Sequence, residues 1–273
     1  MRRRFLVPYL MGQRRDGLAR VAQLDTAPWQ VLALPGRAET KIADKGAQMA
    51  SMGEVYAGLA DQVCRAVLAG GLPVSISGDC ISTLGMLAGL QQAGCEPQRI
   101  LWLDAHGDFH TWGTTQTQYL GGMPLAMLVG RQDRRQNSRD AVEALRRAVG
   151  VRPYPEQRVL LSDARDLDPG EDVALRASDI VCCRFGEIES HLRPEESLYV
   201  HFDTDVMDAA ELAALKYHVG HGPSYAETAE LFRRLARYPI AAVSVSAWHG
   251  DRDAGDKTAL ACLELLHLLL PGS

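Results

Sequence analysis

Three observations predict an α/β fold in which helices cover both faces of one parallel sheet. Short, continuous runs rich in Val, Ile and Leu recur along the chain, as strands buried on both faces require. Longer stretches with helical periodicity separate them, which is the alternation of βαβ units. Three of the runs end on acidic residues, at the strand ends where open α/β sheets place their sites.

Taken in order, the strand candidates are residues 5–11, 30–34, 72–77, 100–103, 158–162, 180–183, 198–202 and 240–245. Each is a short apolar run. The expected helices are 54–69, 81–92, 140–149, 224–236 and 257–269. Ser224 with Glu227 has the form of a capping box opening the fourth helix. The polar stretch 132–139 reads as an exposed connection. No internal repeat, low-complexity block or linker interrupts the 273 residues.

Composition is that of a globular protein, 47% hydrophobic and 23% charged. A net charge of −5 argues against a general nucleic-acid binder, because phosphate contacts need a basic patch. Pro8 and the polar stretch 13–16 break the first apolar run, so it does not read as a signal peptide. No run has the length of a membrane span. A cytoplasmic location is the expectation. Cys64, Cys262, Cys182 and Cys183 read as small core residues, and a reducing compartment is the simpler assumption.

The chemistry concentrates in the three acidic segments. They are Ser77-Gly78-Asp79-Cys80, Asp104-Ala105-His106-Gly107-Asp108 and Asp203-Thr204-Asp205-Val206-Met207-Asp208. Carboxylates beside buried strands carry a desolvation cost that a pair of divalent cations would offset. Alternation puts 104, 106 and 108 on one face of extended chain, and likewise 203 and 205. A lone Asp-x-Asp is usually a solvated turn. Three such segments at three strand ends point to a metal centre. The Gly250–Thr258 stretch lacks the Gly-Lys adjacency of a phosphate loop, and no dinucleotide fingerprint follows a strand.

Together these segments resemble the ureohydrolase family, which includes arginases and agmatinases. The family's Gly-Gly-Asp-His, Asp-Ala-His-x-Asp and Asp-x-Asp-x-x-Asp motifs stand here at 77–80, 104–108 and 203–208. The resemblance implies a single domain over 1–273 with the three-layer arginase-like fold, a mostly parallel eight-stranded sheet and two Mn2+ ions. It implies that Asp104 and Asp203 bridge the two metals. One metal would also take Cys80 and Asp108, the other His106 and Asp205. Asp208 would orient a ligand or shape the turn. Arg165-Asp166-Leu167-Asp168-Pro169-Gly170-Glu171 is similar to the stretch of arginases that grips the substrate's α-amino group, which assigns Asp168 and Glu171 to substrate binding. The local alternative is a helix start with Asp168 as N-cap and Glu171 at its third position.

Three departures shape the expected substrate. Cys80 replaces a histidine ligand, adding a softer, charged donor that shifts preference toward zinc, cobalt or iron. Gly121 stands where arginases carry a proton-transfer histidine, with His110 and His249 as possible substitutes. Ala247 stands near the place of a guanidinium-binding glutamate. A less basic N-hydroxyguanidine needs that anion less. The Cys80 replacement also resembles the N-omega-hydroxy-L-arginine hydrolases of D-cycloserine biosynthesis, an antibiotic pathway. The implied reaction cleaves N-omega-hydroxy-L-arginine, a small guanidino amino acid, to hydroxyurea and L-ornithine. The alternatives are a divergent arginase or other amidine hydrolase, a catalytically weak metal-binding relative, and zinc-dependent deacylation. The oligomeric state is left open.

Overall fold

The computed structural model describes every residue except 35–41, 132–138, 213, 247 and 273. In chain order the elements are β1 (Arg2–Val7), β2 (Tyr9–Leu10), β3 (Gln13–Arg14), α1 (Val21–Leu24), β4 (Trp29–Val31), α2 (Lys45–Leu68), β5 (Leu72–Ser77) and α3 (Ser82–Gln92). There follow β6 (Arg99–Leu103), α4 (Pro124–Val129), α5 (Arg139–Val149), β7 (Val159–Ser162), α6 (Glu171–Arg176), β8 (Val181–Cys183), β9 (Leu198–Asp203), α7 (Tyr225–Leu235), β10 (Ile240–Ser246) and α8 (Lys257–Leu269).

Eight strands form one sheet in the order β4-β1-β5-β10-β9-β6-β7-β8. Every pairing in it is parallel, so the sheet is wholly rather than mostly parallel. Successive side chains of each strand enter opposite layers. Ile100, Trp102 and Tyr199 join one core with residues of α2, α3, α4 and α5. Leu101, Leu103, Val200 and Phe202 join the other, with residues of α7 and α8. Burial on both faces explains why these strands read as unbroken apolar runs.

All eight expected strands form, with small shifts at their ends. The first differs most. Pro8 has no N–H to give a ladder, so the run stops at Val7 and turns into the β2–β3 hairpin. Its tip, Met11 and Gly12, has positive φ at both residues (51° and 74°), as a tight two-residue hairpin turn demands. Helix α2 begins nine residues before the expected start. The Asp44 carboxylate caps it by accepting from Ala47 N–H at 2.7 Å, and its small residues weaken the apolar periodicity. The capping box at Ser224 and Glu227 is present. Residues 132–138 of the expected connection lie outside the described residues, and Arg139 already belongs to α5. All six cysteines are free thiols. Only Cys80 and Cys262 are buried, however. Cys182 is exposed because β8 is an edge strand with one open side. No helix among the described residues is long and apolar enough to cross a membrane.

The hairpin is tied to the sheet through Asp79. Its buried carboxylate accepts from Met11 N–H (2.7 Å), Tyr56 O–H (2.5 Å) and Ile81 N–H (3.1 Å). Removing it strands buried donors. Asp79→Ala is expected to cost roughly 2–4 kcal/mol of stability. Urea unfolding checks this, and an unchanged midpoint would mean that the three bonds add nothing net.

Candidate metal centre and its cavity

The site lies across the four central strands. β5, β10, β9 and β6 are consecutive neighbours, and the C-terminal ends of β5, β9 and β6 carry the acidic segments. The register pairs Trp102 with His201 and Leu103 with Phe202, so Asp104 and Asp203 leave the sheet side by side. On the other side of β9, Ser246 pairs with Asp203 and its hydroxyl lies 3.3 Å from the Cys80 thiol.

Two overlapping groups of donors are close enough to hold metal ions. One comprises Cys80, Asp104, His201 and Asp203; the other comprises Asp104, His106 and Asp205. Within each, the donor atoms lie within 4.8 Å of one another, and Asp104 belongs to both. Five of the six expected ligands are therefore brought together: Cys80, Asp104, His106, Asp203 and Asp205. Asp108 is buried next to them but outside both groups. His201 is the fourth member of the first group. It was not anticipated, although alternation along β9 puts residues 199, 201 and 203 on one face.

The electrostatics fit a cationic occupant. Burial, then Asp104 and Asp203, pushes the Asp108 carboxyl well above its ordinary range. Burial, then Asp205 and Asp104, does the same to Asp203. Burial raises the Cys80 thiol, and the charges of Asp203, Asp108 and Asp104 raise it further. Burial opposes a charge on His106, but Asp104 and Asp205 outweigh it and carry its pKa up to about 12. Burial holds His201 down to about 4, a neutral ring. Asp108 Oδ2, Asp205 Oδ1 and His201 Nε2 are buried with no hydrogen-bond partner among the described residues. Bound cations would reverse the crowding and give these atoms partners.

Neighbouring contacts hold the ligands in place. Asp104 accepts from Trp102 Nε1–H (3.2 Å) and His106 N–H (2.7 Å), and Asp203 accepts from Asp205 N–H (3.0 Å). Asp208 shapes the following turn by accepting from Ala210 and His221 N–H. Arg165 ties that turn to the 163–171 loop through Asp163 and the carbonyls of Asp205, Val219 and Gly220.

A cavity of about 270 Å³ opens over these groups, with room for one amino-acid-sized molecule. Asp168 and Glu171 both border it but differ in state. The Asp168 side chain is 61% exposed and lies 3.1 Å from His110 Nε2. Glu171 is buried and accepts from Phe109 N–H (2.8 Å) and Asp168 N–H (3.3 Å). The alternative, an Asp168 cap, does not form. A left-handed Gly170 delays the helix, so that Glu171 is its first residue. His249 lines the cavity, and burial followed by Arg252 and Lys216 lowers its pKa. A larger open groove of about 1330 Å³ runs along the β8 edge, away from the metal donors.

The sequence reading missed an aromatic and cationic wall. Lys216 Nζ sits 3.4 Å above the Tyr119 ring and 4.8 Å from that of Tyr217, all three lining the cavity. Burial lowers Lys216 to about 8, against the pull of Asp79 and Cys80. Tyr119 also explains Gly121. A Cβ there would come within 2.3 Å of the Tyr119 ring, so a side chain at this position requires the tyrosine to move. Ala247 lies outside the described residues.

An all-parallel sheet whose central strand ends converge on carboxylate, imidazole and thiol donors defines a metal-centred α/β protein of the ureohydrolase type. The chain belongs to the Arginase family, whose profile matches residues 18–270. It is 26% identical over 173 residues to an arginase of Brucella melitensis (58% of this chain, 54% of the relative). It is 27% identical over 176 residues to the N(omega)-hydroxy-L-arginine amidinohydrolase of Streptomyces lavendulae (63% and 59%). The chain thus spans little more than half the length of these curated relatives. In fold it matches Bacillus caldovelox arginase with a TM-score of 0.79 at 23% identity, covering 100% of this chain and 99% of the other. Entamoeba histolytica arginase, solved with L-ornithine, gives 0.81 at 17% identity (98% and 99%).

The different states of Asp168 and Glu171 predict different consequences. Glu171→Gln puts an amide N–H against the Asp168 N–H and is expected to cost about 1–2 kcal/mol. Asp168→Asn changes an exposed group and is expected to leave stability nearly unchanged. Calorimetric melting of both variants checks this, and the reverse order would exchange their structural parts.

Proposed function

We propose that the chain is a binuclear metal-dependent amidinohydrolase that cleaves N-omega-hydroxy-L-arginine to hydroxyurea and L-ornithine. The observation that carries the reading is the pair of donor groups sharing Asp104, of which Cys80, His106, Asp203 and Asp205 line a cavity that also presents the Asp168 carboxylate. Cys80, Asp104, His106, Asp203 and Asp205 would hold the ions, with Asp108 beside them. Manganese remains the proposed metal where carboxylates dominate. When bound, the two cations supply Lewis acidity and a water acidic enough to attack at neutral pH.

The protein's own groups bind, orient and move protons. Asp168, held by His110, takes the α-ammonium of the substrate. Glu171 holds the 107–110 and 168–171 backbones together and so fixes where Asp168 stands. Water attacks the guanidine carbon, the bond from that carbon to the ornithine nitrogen breaks, and that nitrogen gains a proton. His249, a neutral ring on the cavity wall, is the proposed proton carrier. His110 is tied to Asp168 and belongs to the amino-acid end.

Lys216 supports the hydroxyguanidine over arginine. Lys216 puts a cation on the cavity wall. A guanidinium meets like charge there, whereas a less basic N-hydroxyguanidine can enter neutral. The name of the Streptomyces relative agrees with this reading.

Steady-state ornithine release from both substrates at matched metal loading is the test. The expected result is higher kcat/KM for hydroxyarginine. Equal values, or a preference for arginine, would replace the proposal with a divergent arginase. Because Lys216 loses its charge near pH 8, KM for arginine is expected to fall as pH rises through 8. Lys216→Met should lower that KM at pH 7 and flatten the profile; an unchanged profile would remove Lys216 from the account. Asp168→Asn is expected to raise KM more than it lowers kcat, by roughly 1.5–3 kcal/mol or about ten- to a hundredfold.

A further inference from the structure

His201 has the environment of a metal ligand. It lies at the centre of the sheet and is fully buried. Its β6 neighbour in register is Trp102, whose ring centroid lies 4.2 Å away, and its β10 neighbour is Ser244. Nδ1 is 2.8 Å from Ser244 Oγ, which also accepts from the Tyr199 hydroxyl at 2.7 Å. Packing and hydrogen bonding therefore fix the ring from both sides. Nε2 is buried and has no hydrogen-bond partner among the described residues. An imidazole nitrogen left that way in a protein core is a standing cost unless something binds it.

Three donors surround this ring. Cys80, Asp104 and Asp203 place a thiol sulfur and carboxylate oxygens within 4.8 Å of the imidazole donor and of one another. Cys80 Sγ is 2.6 Å from Asp203 Oδ2, and both are buried. One sulfur, one nitrogen and two oxygens make a four-donor set that suits a borderline ion in tetrahedral coordination, whereas manganese suits oxygen-rich octahedral sites. The second group, Asp104, His106 and Asp205, has no thiol and stays harder.

We propose that His201 is a metal ligand, and that with Cys80, Asp104 and Asp203 it makes this half of the centre selective for zinc over manganese. Nδ1–H donates to Ser244 Oγ, which leaves the Nε2 lone pair for the ion; Ser244 and Tyr199 fix the tautomer, as outer partners of ligating histidines do. The inference rests on the reading of the cluster as a metal centre, and it changes that reading. The two halves differ in donor chemistry, and His201 rather than Asp108 joins Cys80 in the first.

The test uses the full chain, stripped of metal and reloaded with one equivalent of zinc, and reads X-ray absorption at the zinc edge. The expected spectrum has one sulfur and one imidazole on the same ion. Sulfur without imidazole would leave His201 an unligated core residue and overturn the proposal. Imidazole without sulfur would put zinc in the His106 half and overturn it equally. Absence of bound zinc or manganese in wild type would sink the metal-centre reading itself. In competition against a chromophoric chelator, His201→Gln should weaken the tight zinc site by more than about 100-fold, beyond what loss of an outer partner usually costs. Affinity in the second half should stay near wild type. A loss under tenfold, in a variant with unchanged circular dichroism, would also overturn it. If the variant fails to fold, the wild-type spectrum decides.

Discussion

The structure turns on charge that the sheet cannot solvate. Asp104, Asp108, Asp203 and Asp205 are all buried at the ends of the central strands, with the Cys80 thiol beside them. An isolated buried carboxylate is costly, and several together repel one another. Partial relief comes from the backbone N–H groups of residues 106 and 205 and from the Trp102 indole. Asp108 Oδ2 and Asp205 Oδ1 stay without partners among the described residues. A fold that retains this arrangement needs divalent cations, and the remaining features of the site serve to aim ligands and shape access.

The topology makes that convergence possible. Because β10 pairs between β5 and β9, and β6 lies on the far side of β9, four strand ends distant in sequence open at one place. Two loops then complete the cavity. The 163–171 loop brings Asp168 and Glu171, and the turn after β9 brings Lys216 and Tyr217. Arg165 fastens one to the other. Substrate end and metal end are held in one frame, so a change in the Arg165 contacts would be felt at both.

Strands and metal donors were legible because their signals are local. Both-face burial writes continuous apolar runs, and desolvated ligands stand at their ends. The missing signals were of other kinds. The early start of α2 was hidden by small residues, and α4 and α6 are too short for periodicity to show. His201 lay inside an apolar run and read as part of a strand. Lys216 and Tyr119 meet across 97 positions of sequence, and nothing local marks their contact. Gly121 looked like a lost function; the structure adds that the Tyr119 ring lies where a Cβ at 121 would point. Asp168 shows the limit of capping patterns, since its carboxylate faces His110 rather than the helix start.

The central claim is that the buried carboxylates form a two-cation centre. Anomalous diffraction from crystals of the protein loaded with manganese and zinc, collected on each side of both absorption edges, tests it most directly. The account predicts two anomalous peaks, one among Cys80, Asp104 and Asp203 and the other among Asp104, His106 and Asp205. No peak in either group, at saturating metal and with the carboxylates still buried, would contradict it.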